Sequence, residues 1–219
     1  MNRADICSRL QRTGVVPVVR AKNPEQAWLA CRALCAGGID VLEVTMTVPN
    51  APSLIAELVA HFGNEVLVGA GTVLDAETAR VCIRAGAEFI VSPGFDESIV
   101  RVAHEAGKPA LPGALTPTEV MAALRAGADI IKVFPASAMG GAKYLRSLRA
   151  PFENARFLPT GGVNASTARE FIAAGAVALG VGSELIDPQA LVRGDGEKIT
   201  ALARELVSAV RTARRELAS

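Results

Sequence analysis

The feature that most constrains the fold is a glycine that recurs roughly every 20 to 26 residues, each time after an apolar segment with helical periodicity. A glycine just past a helix supplies the left-handed backbone that ends it. A short β-branched run then follows. The one wider gap contains Ala150-Pro151, which ends the intervening helix because proline cannot continue one. A period of this size predicts a repeated strand-plus-helix unit. The glycines are Gly37, Gly63, Gly86, Gly107, Gly127 and Gly175.

Eight strands are predicted from short apolar runs without alternation, which is typical of strands covered on both faces. They span residues 15–20, 41–45, 66–69, 89–91, 109–111, 130–134, 156–159 and 177–181. Helices are predicted between them, for example over 24–36, 75–85, 117–126 and 165–174. Asn23-Pro24, Thr116-Pro117 and Asn164 or Ser166 are typical helix starts.

Eight βα units with right-handed crossovers close most naturally into a (β/α)8 TIM-type barrel of the α/β class. Residues 1–13 predict an extra N-terminal helix at the bottom of the barrel, and 197–217 a long final helix. An open doubly wound sheet is the alternative, but it usually carries a glycine-rich turn after its first strand. Residues 20–24 (RAKNP) stand there instead. No linker divides the chain, so residues 1–219 are predicted to form a single domain.

The composition excludes several classes of function. Half of the residues are hydrophobic and the net charge is +1, so the chain has enough apolar residues for a core and no basic field for nucleic acid. The most apolar stretch, 171–182, is too short for the roughly 20 residues that cross a bilayer. The N-terminus is charged at once and lacks an apolar signal core, which predicts a cytoplasmic protein.

The cysteines and histidines predict no metal centre. Cys7, Cys31, Cys35 and Cys82 all fall in predicted helices and form no CxxC pair, so we expect buried, reduced thiols. The two histidines, His61 and His104, lie far apart and outside any HxH or HExxH pattern.

In such a barrel the active site lies at the C-terminal ends of the strands. Lys132 is the one lysine of five that lies inside a buried strand. Its ammonium must be paired or lose its proton. It is therefore either a structural ion pair or an amine nucleophile that forms a Schiff base. Glu43 lies in the strand 41–45 and is either a salt-bridge partner of Lys132 or Arg20, or a general acid/base.

Glycines after the last two strands predict a phosphate site. Residues 159–163 (PTGGV) and 180–183 (GVGS) let backbone N–H groups approach an anion. Residues 69–72 and 92–94 form the rest of the rim, either as ordinary turns or as space for a substrate. Thr72 could donate there to a substrate carboxylate.

These segments together resemble one family. The motifs EVT (43–45), GAGTV (69–73), SPG (92–94), KVFPA (132–136) and PTGGV (159–163) occur in this order. They are similar to those of the 2-keto-3-deoxy-6-phosphogluconate (KDPG) aldolases, whose members often also cleave 4-hydroxy-2-oxoglutarate (KHG). The resemblance runs from about residue 15 to residue 186. It implies a metal-independent class I aldolase that uses a covalent lysine imine instead of a cofactor, usually as a homotrimer.

The resemblance also implies a role for each site residue. Lys132 would be the Schiff-base lysine and Glu43 the general acid/base. Thr72 and Thr160 would contact the pyruvoyl part, which Pro93 and Phe134 would wall. The phosphate would bind Gly161, Gly162, Gly182 and Ser183.

One position departs from the family pattern. Many members carry an arginine four residues after the glutamate, where it binds the substrate carboxylate, whereas this chain has Thr47. Another branch has this threonine and an arginine at the end of strand one, as Arg20 does. We therefore assign the carboxylate to Arg20, with Thr47 as the other candidate. Thr45 and Thr160 favour the gluconate substrate over the galactonate.

The expected reaction is cleavage of KDPG to pyruvate and glyceraldehyde 3-phosphate, and of KHG to pyruvate and glyoxylate. Three alternatives are open. They are a 2-keto-3-deoxy-6-phosphogalactonate aldolase, a phosphosugar isomerase or epimerase that uses Glu43 while Lys132 acts only through its charge, and a non-catalytic phosphosugar-binding protein.

Overall fold

The computed structural model describes residues 1–218, in which short parallel strands alternate with helices. The strands are β1 (Val15–Val19), β2 (Val41–Thr45), β3 (Leu67–Gly71), β4 (Ile90–Val91), β5 (Ala110–Leu111), β6 (Ile131–Val133), β7 (Phe157–Pro159) and β8 (Leu179–Val181). The helices are α1 (Arg3–Thr13), α2 (Pro24–Ala36), α3 (Ala51–Phe62), α4 (Ala76–Arg84), α5 (Glu97–Glu105), α6 (Pro117–Arg125), α7 (Gly141–Arg149), α8 (Ala165–Ala173), α9 (Pro188–Arg193) and α10 (Gly196–Ala218). Ser219, the last residue of the predicted domain, lies outside the described residues.

The strands form a curled parallel sheet, which confirms the predicted α/β class. Six strands pair in the order β5-β4-β3-β2-β1-β8, and β6 pairs with β7. Isolated bridges connect this two-stranded part to its neighbours on both sides: Gly113 with Lys132 next to β5, and Phe157 with Ala176 and Thr160 with Gly180 next to β8. The C-terminal ends of all these strands therefore lie at one edge, where the polar residues of the sequence were expected.

The inner face of the sheet carries an apolar layer with a more polar layer above it. The apolar layer is a buried cluster that also contains Ile6 and Leu10 of α1. Its sheet members are Val16, Val41, Leu67, Phe89, Val91, Leu111, Ile130, Leu158 and Ala178. Positions two residues later on a strand point to the same face. On β2 that position is Glu43. Two residues after Ile130, which directly precedes β6, it is Lys132, and two residues after Leu158 of β7 it is Thr160. The fold thus places these polar groups directly above a buried apolar layer.

The helix starts follow the predicted capping chemistry. Asn23 accepts a hydrogen bond from the N–H of Gln26 ahead of Pro24, and Thr116 forms a capping box with Glu119. Asn164 caps α8 through the N–H groups of Ser166 and Thr167. These contacts satisfy N–H groups that have no partner within the helix, which explains why these residues mark the helix starts.

Five of the six predicted helix-ending glycines have a positive φ, although Gly63 combines it with a ψ of −130°, outside the left-handed helical region. Gly63, Gly86, Gly107, Gly127 and Gly175 have φ between 54° and 100°. The prediction for Gly37 is wrong: its φ is −82°, and Gly38 takes the left-handed conformation at 92° instead. Gly37 is needed for packing, because a Cβ there would overlap that of Ala203 on α10.

Element ends agree with the prediction to within two residues, and β2 and α2 have the predicted bounds. The pairing of β4 and β5 covers only two residues in each strand, because their neighbours bond outside the regular ladder. Within residues 1–218 no helix is both long and apolar enough to cross a membrane.

The contact of α1 with the inner cluster generates a stability prediction. Leu10→Ala removes a side chain that is fully buried and should lower the free energy of unfolding by about 2 to 5 kcal/mol. Leu217→Ala makes the same change on α10 where the side chain is 56% exposed, and should stay within about 0.5 kcal/mol of wild type. Urea unfolding of both variants measures the difference. Equal effects would show that α1 does not contribute to the core.

Candidate active site

The centre of the site is an ion pair that spans the inner face of the sheet. The Nζ atom of Lys132 on β6 lies 3.5 Å from Oε1 of Glu43 on β2. The two side chains are 3% and 0% exposed. Separating such a buried pair by removing one partner leaves an uncompensated charge. The sequence predicted both groups as buried and as possible partners, and the structure brings them together.

The Glu43 carboxylate is only partly satisfied. Its Oε2 atom is buried and has no hydrogen-bond partner within residues 1–218. The side chain lies against the backbone of Gly71 on the neighbouring strand β3, where a Cβ would overlap the carboxylate. A buried acceptor without a partner is costly. This oxygen is therefore available to a water or a ligand group that brings a proton.

Thr160 offers a second unpartnered polar atom. Its hydroxyl is buried and makes no hydrogen bond among the described residues. The hydroxyl packs against Gly180 of β8, and a Cβ at that glycine would overlap it. Glycine is therefore required at positions 71 and 180 to leave room for the polar side chains of the upper layer.

A cavity of about 300 Å³ opens next to this centre. It brings together seven of the predicted site residues: Arg20, Phe134, Thr160, Gly161, Gly162, Gly182 and Ser183. The ring centroid of Phe134 lies 5.7 Å from Lys132 Nζ, so this ring connects the cavity with the ion pair. Gly161 and Gly162 are left-handed, with φ of 99° and 69°, a conformation that glycine adopts without steric cost.

Besides Lys132 and Glu43 themselves, three predicted residues do not line this cavity. Thr47 is exposed, and its hydroxyl lies 2.6 Å from that of Thr45. Pro93 is half-buried, and its carbonyl packs against Gly113. Thr72 is half-buried and has a φ of 55°. A β-branched residue in the left-handed region is strained, and such strain clusters at functional sites.

Sequence reasoning did not single out Val18, Glu184 and Ile186, which also line the cavity. Val18 could have been found from the strand period, since it lies two residues before Arg20 on the same face of β1. Glu184 and Ile186 lie in the irregular segment after β8, where no periodic pattern marks them.

Other reactive side chains lie outside the site. The four cysteines are free, and burial raises the pKa of Cys7, Cys35 and Cys82 to about 11. These three thiols are therefore protonated at neutral pH. Within residues 1–218 no group of three or more His, Cys, Asp or Glu side chains is placed to hold a metal ion.

Comparison with known proteins matches residues 6–202 to the model of the KDPG and KHG aldolases. The chain belongs to this family. The KHG/KDPG aldolase of Escherichia coli (strain K12) is 41% identical over 193 residues, which cover 88% of this chain and 90% of that protein.

Two solved structures of similar fold carry related names. The KDPG aldolase from Legionella pneumophila, whose structure captured pyruvate at low pH as a covalent carbinolamine intermediate, is 32% identical with a TM-score of 0.84. The match covers 91% of this chain and 97% of the Legionella chain. A native KDPGal structure is 31% identical with a TM-score of 0.84, over 92% of this chain and 96% of its own.

The strained backbone of Thr72 generates a second stability prediction. Thr72→Gly relieves about 1 to 3 kcal/mol of strain and adds about 0.5 to 1 kcal/mol of unfolded-chain entropy. The variant should therefore be about 1 kcal/mol more stable in urea unfolding. Asn50 has the same φ of 55°, but asparagine tolerates it, so Asn50→Gly should gain nothing. A Thr72→Gly variant less stable than wild type would contradict this reading of the strain.

Proposed function

We propose that the protein is a class I aldolase that cleaves KDPG to pyruvate and glyceraldehyde 3-phosphate, and also KHG to pyruvate and glyoxylate. The observation that carries this proposal is the buried Lys132–Glu43 pair beside a cavity lined by Phe134 and by the glycines after β7 and β8. The names of the relatives support the same reaction.

The first half of the reaction forms a covalent intermediate. Lys132 loses a proton, and its amine attacks the C2 carbonyl of the keto acid to form a carbinolamine. Loss of water then gives an iminium. Glu43 lies within 3.5 Å of the amine and has a free oxygen. It can therefore move the protons of the dehydration, directly or through a water.

The second half breaks the carbon–carbon bond. The iminium withdraws electrons, so transfer of the C4 hydroxyl proton to the Glu43 carboxylate breaks the C3–C4 bond, releases the aldehyde and leaves an enamine. Protonation of the enamine at C3, assisted by Glu43, followed by hydrolysis frees pyruvate and regenerates Lys132. The lysine supplies the electron sink in this scheme, so no cofactor or metal is required.

The remaining residues would position the substrate. Arg20 is the cation of the cavity lining and would pair with the substrate carboxylate. Thr160 and Thr72 would donate to the pyruvoyl part, and Pro93 and Phe134 would wall it. The phosphate would bind the backbone N–H groups of the glycines and the Ser183 hydroxyl; these four residues are Gly161, Gly162, Gly182 and Ser183. Contacts remote from the reacting bond help to hold it in a reactive geometry.

The phosphogalactonate substrate and the isomerase reaction are the alternatives. Thr45 and Thr160 favour the gluconate, and a relative that is 41% identical is named for KHG and KDPG. An isomerase on the same barrel would need Glu43 but not the amine of Lys132. Turnover without carbon–carbon cleavage in Lys132→Ala would therefore favour it.

The wider architecture is part of the proposal. The isolated bridges on either side of the β6–β7 pair support a closed (β/α)8 barrel in a single domain, with α1 as an extra helix that covers its bottom. A homotrimer follows from the family resemblance. A cytoplasmic location fits the free cysteines.

Covalent trapping tests the mechanism. Pyruvate with borohydride should give a reduced adduct on Lys132 by peptide mapping, and Lys132→Arg should abolish it. Lys108 is the matched control, since it pairs with Glu88 at 2.8 Å but is 20% exposed. Lys108→Arg should trap pyruvate like wild type. No adduct on Lys132 in folded protein, or an adduct on Lys108, would exclude the mechanism.

The phosphate site predicts a substrate-dependent effect of Ser183. Ser183→Ala removes one donor and should raise the KM for KDPG about 10- to 150-fold, as expected for one hydrogen bond to a charged group. The KM for KHG, which has no phosphate, should not change. Steady-state kinetics with both substrates measure this split, and equal changes would place the phosphate elsewhere.

A further inference from the structure

The hydroxyl groups of Thr45 and Thr47 form a relay whose direction is fixed by chemistry. Thr45 Oγ1 lies 2.9 Å from the carbonyl oxygen of Val19 and 2.6 Å from Thr47 Oγ1. A carbonyl oxygen can only accept a hydrogen bond, and a hydroxyl has a single proton to donate. The proton of Thr45 is therefore donated to Val19, and Thr45 must accept the proton of Thr47.

This direction limits what Thr47 can bind. Its only proton is already donated to Thr45, so its oxygen presents lone pairs to any further partner. A carboxylate is also acceptor-only, and the two groups would repel each other. In this relay Thr47 does not suit the substrate carboxylate, whereas Arg20, which lines the cavity, carries five N–H donors for it.

The relay continues the row of β2 side chains that contains Glu43. Glu43 and Thr45 are two residues apart on β2 and point to the same face, and Thr47 contacts Thr45 just beyond the C-terminal end of the strand. Thr45 is fully buried, which holds the relay in place, while Thr47 is exposed and lies outside the cavity lining. A substrate that reaches Glu43 past this end of β2 would meet Thr47 as a fixed acceptor.

We propose that Thr47 is a specificity-determining residue that accepts a hydrogen bond from a hydroxyl group in the aldehyde-derived half of the substrate. This inference rests on the proposed function. In a phosphorylated hydroxy keto acid at neutral pH, the carboxylate, the ketone and the phosphate dianion accept hydrogen bonds. The hydroxyl groups are the donors, and they are the groups that Thr47 can recognise.

Pyruvate separates the two possible roles because it has a carboxylate but no hydroxyl group. The variant Thr47→Val has a similar shape and lacks the hydroxyl. Its kcat/KM for KDPG should fall about 3- to 10-fold, the loss expected for one neutral hydrogen bond. The pyruvate concentration that gives half-maximal borohydride trapping should stay within twofold of wild type. Thr47→Ser retains the hydroxyl and should recover most of the cleavage activity.

Each outcome of this experiment decides the inference. An equal loss in cleavage and in pyruvate trapping would show that Thr47 holds the carboxylate, and no loss in either would show that it does not contact the substrate. Both results overturn the proposal. If the wild-type protein fails to trap pyruvate at all, the proposed function is wrong, and this inference falls with it.

Discussion

The Lys132 ammonium and the Glu43 carboxylate are both buried and face each other at 3.5 Å across the inner face of the sheet. Taking two charges out of water is expensive, and their attraction compensates only when the geometry is good. The surrounding structure serves this requirement. An apolar layer closes the space below the pair, and Gly71 leaves room for the carboxylate. Loss of either charge would leave the other buried without a partner and lower the free energy of unfolding by about 3 to 5 kcal/mol.

Much of this arrangement could be predicted because it depends on local sequence. Strands covered on both faces read as continuous apolar runs, so a lysine or a glutamate inside such a run stands out. Capping residues such as Asn23 and Thr116 mark helix starts by chemistry that involves only neighbouring residues. The glycine pair Gly161-Gly162 likewise marks a turn that other residues adopt at a steric cost.

The remainder depends on contacts between residues distant in sequence. The pairing of Glu43 with Lys132 joins positions 89 residues apart, and sequence alone left Arg20 as another partner. Glycine is required at position 37 because the residue packs against Ala203 on the last helix, and not because its backbone is left-handed. The left-handed conformation of Thr72 runs against the preference of its residue type. Such features are fixed only when the whole sheet has assembled.

The division of the sheet has a mechanical consequence. Glu43 and Arg20 belong to or directly follow strands of the six-stranded part, whereas Lys132 and Thr160 belong to or directly follow the two strands joined to it by isolated bridges. The N–H of Lys132 donates to the carbonyl of Pro112, and the Lys132 carbonyl accepts from the N–H of Ala114. The backbone that carries the amine is therefore tied directly to the part of the sheet that carries the carboxylate, without an intervening loop.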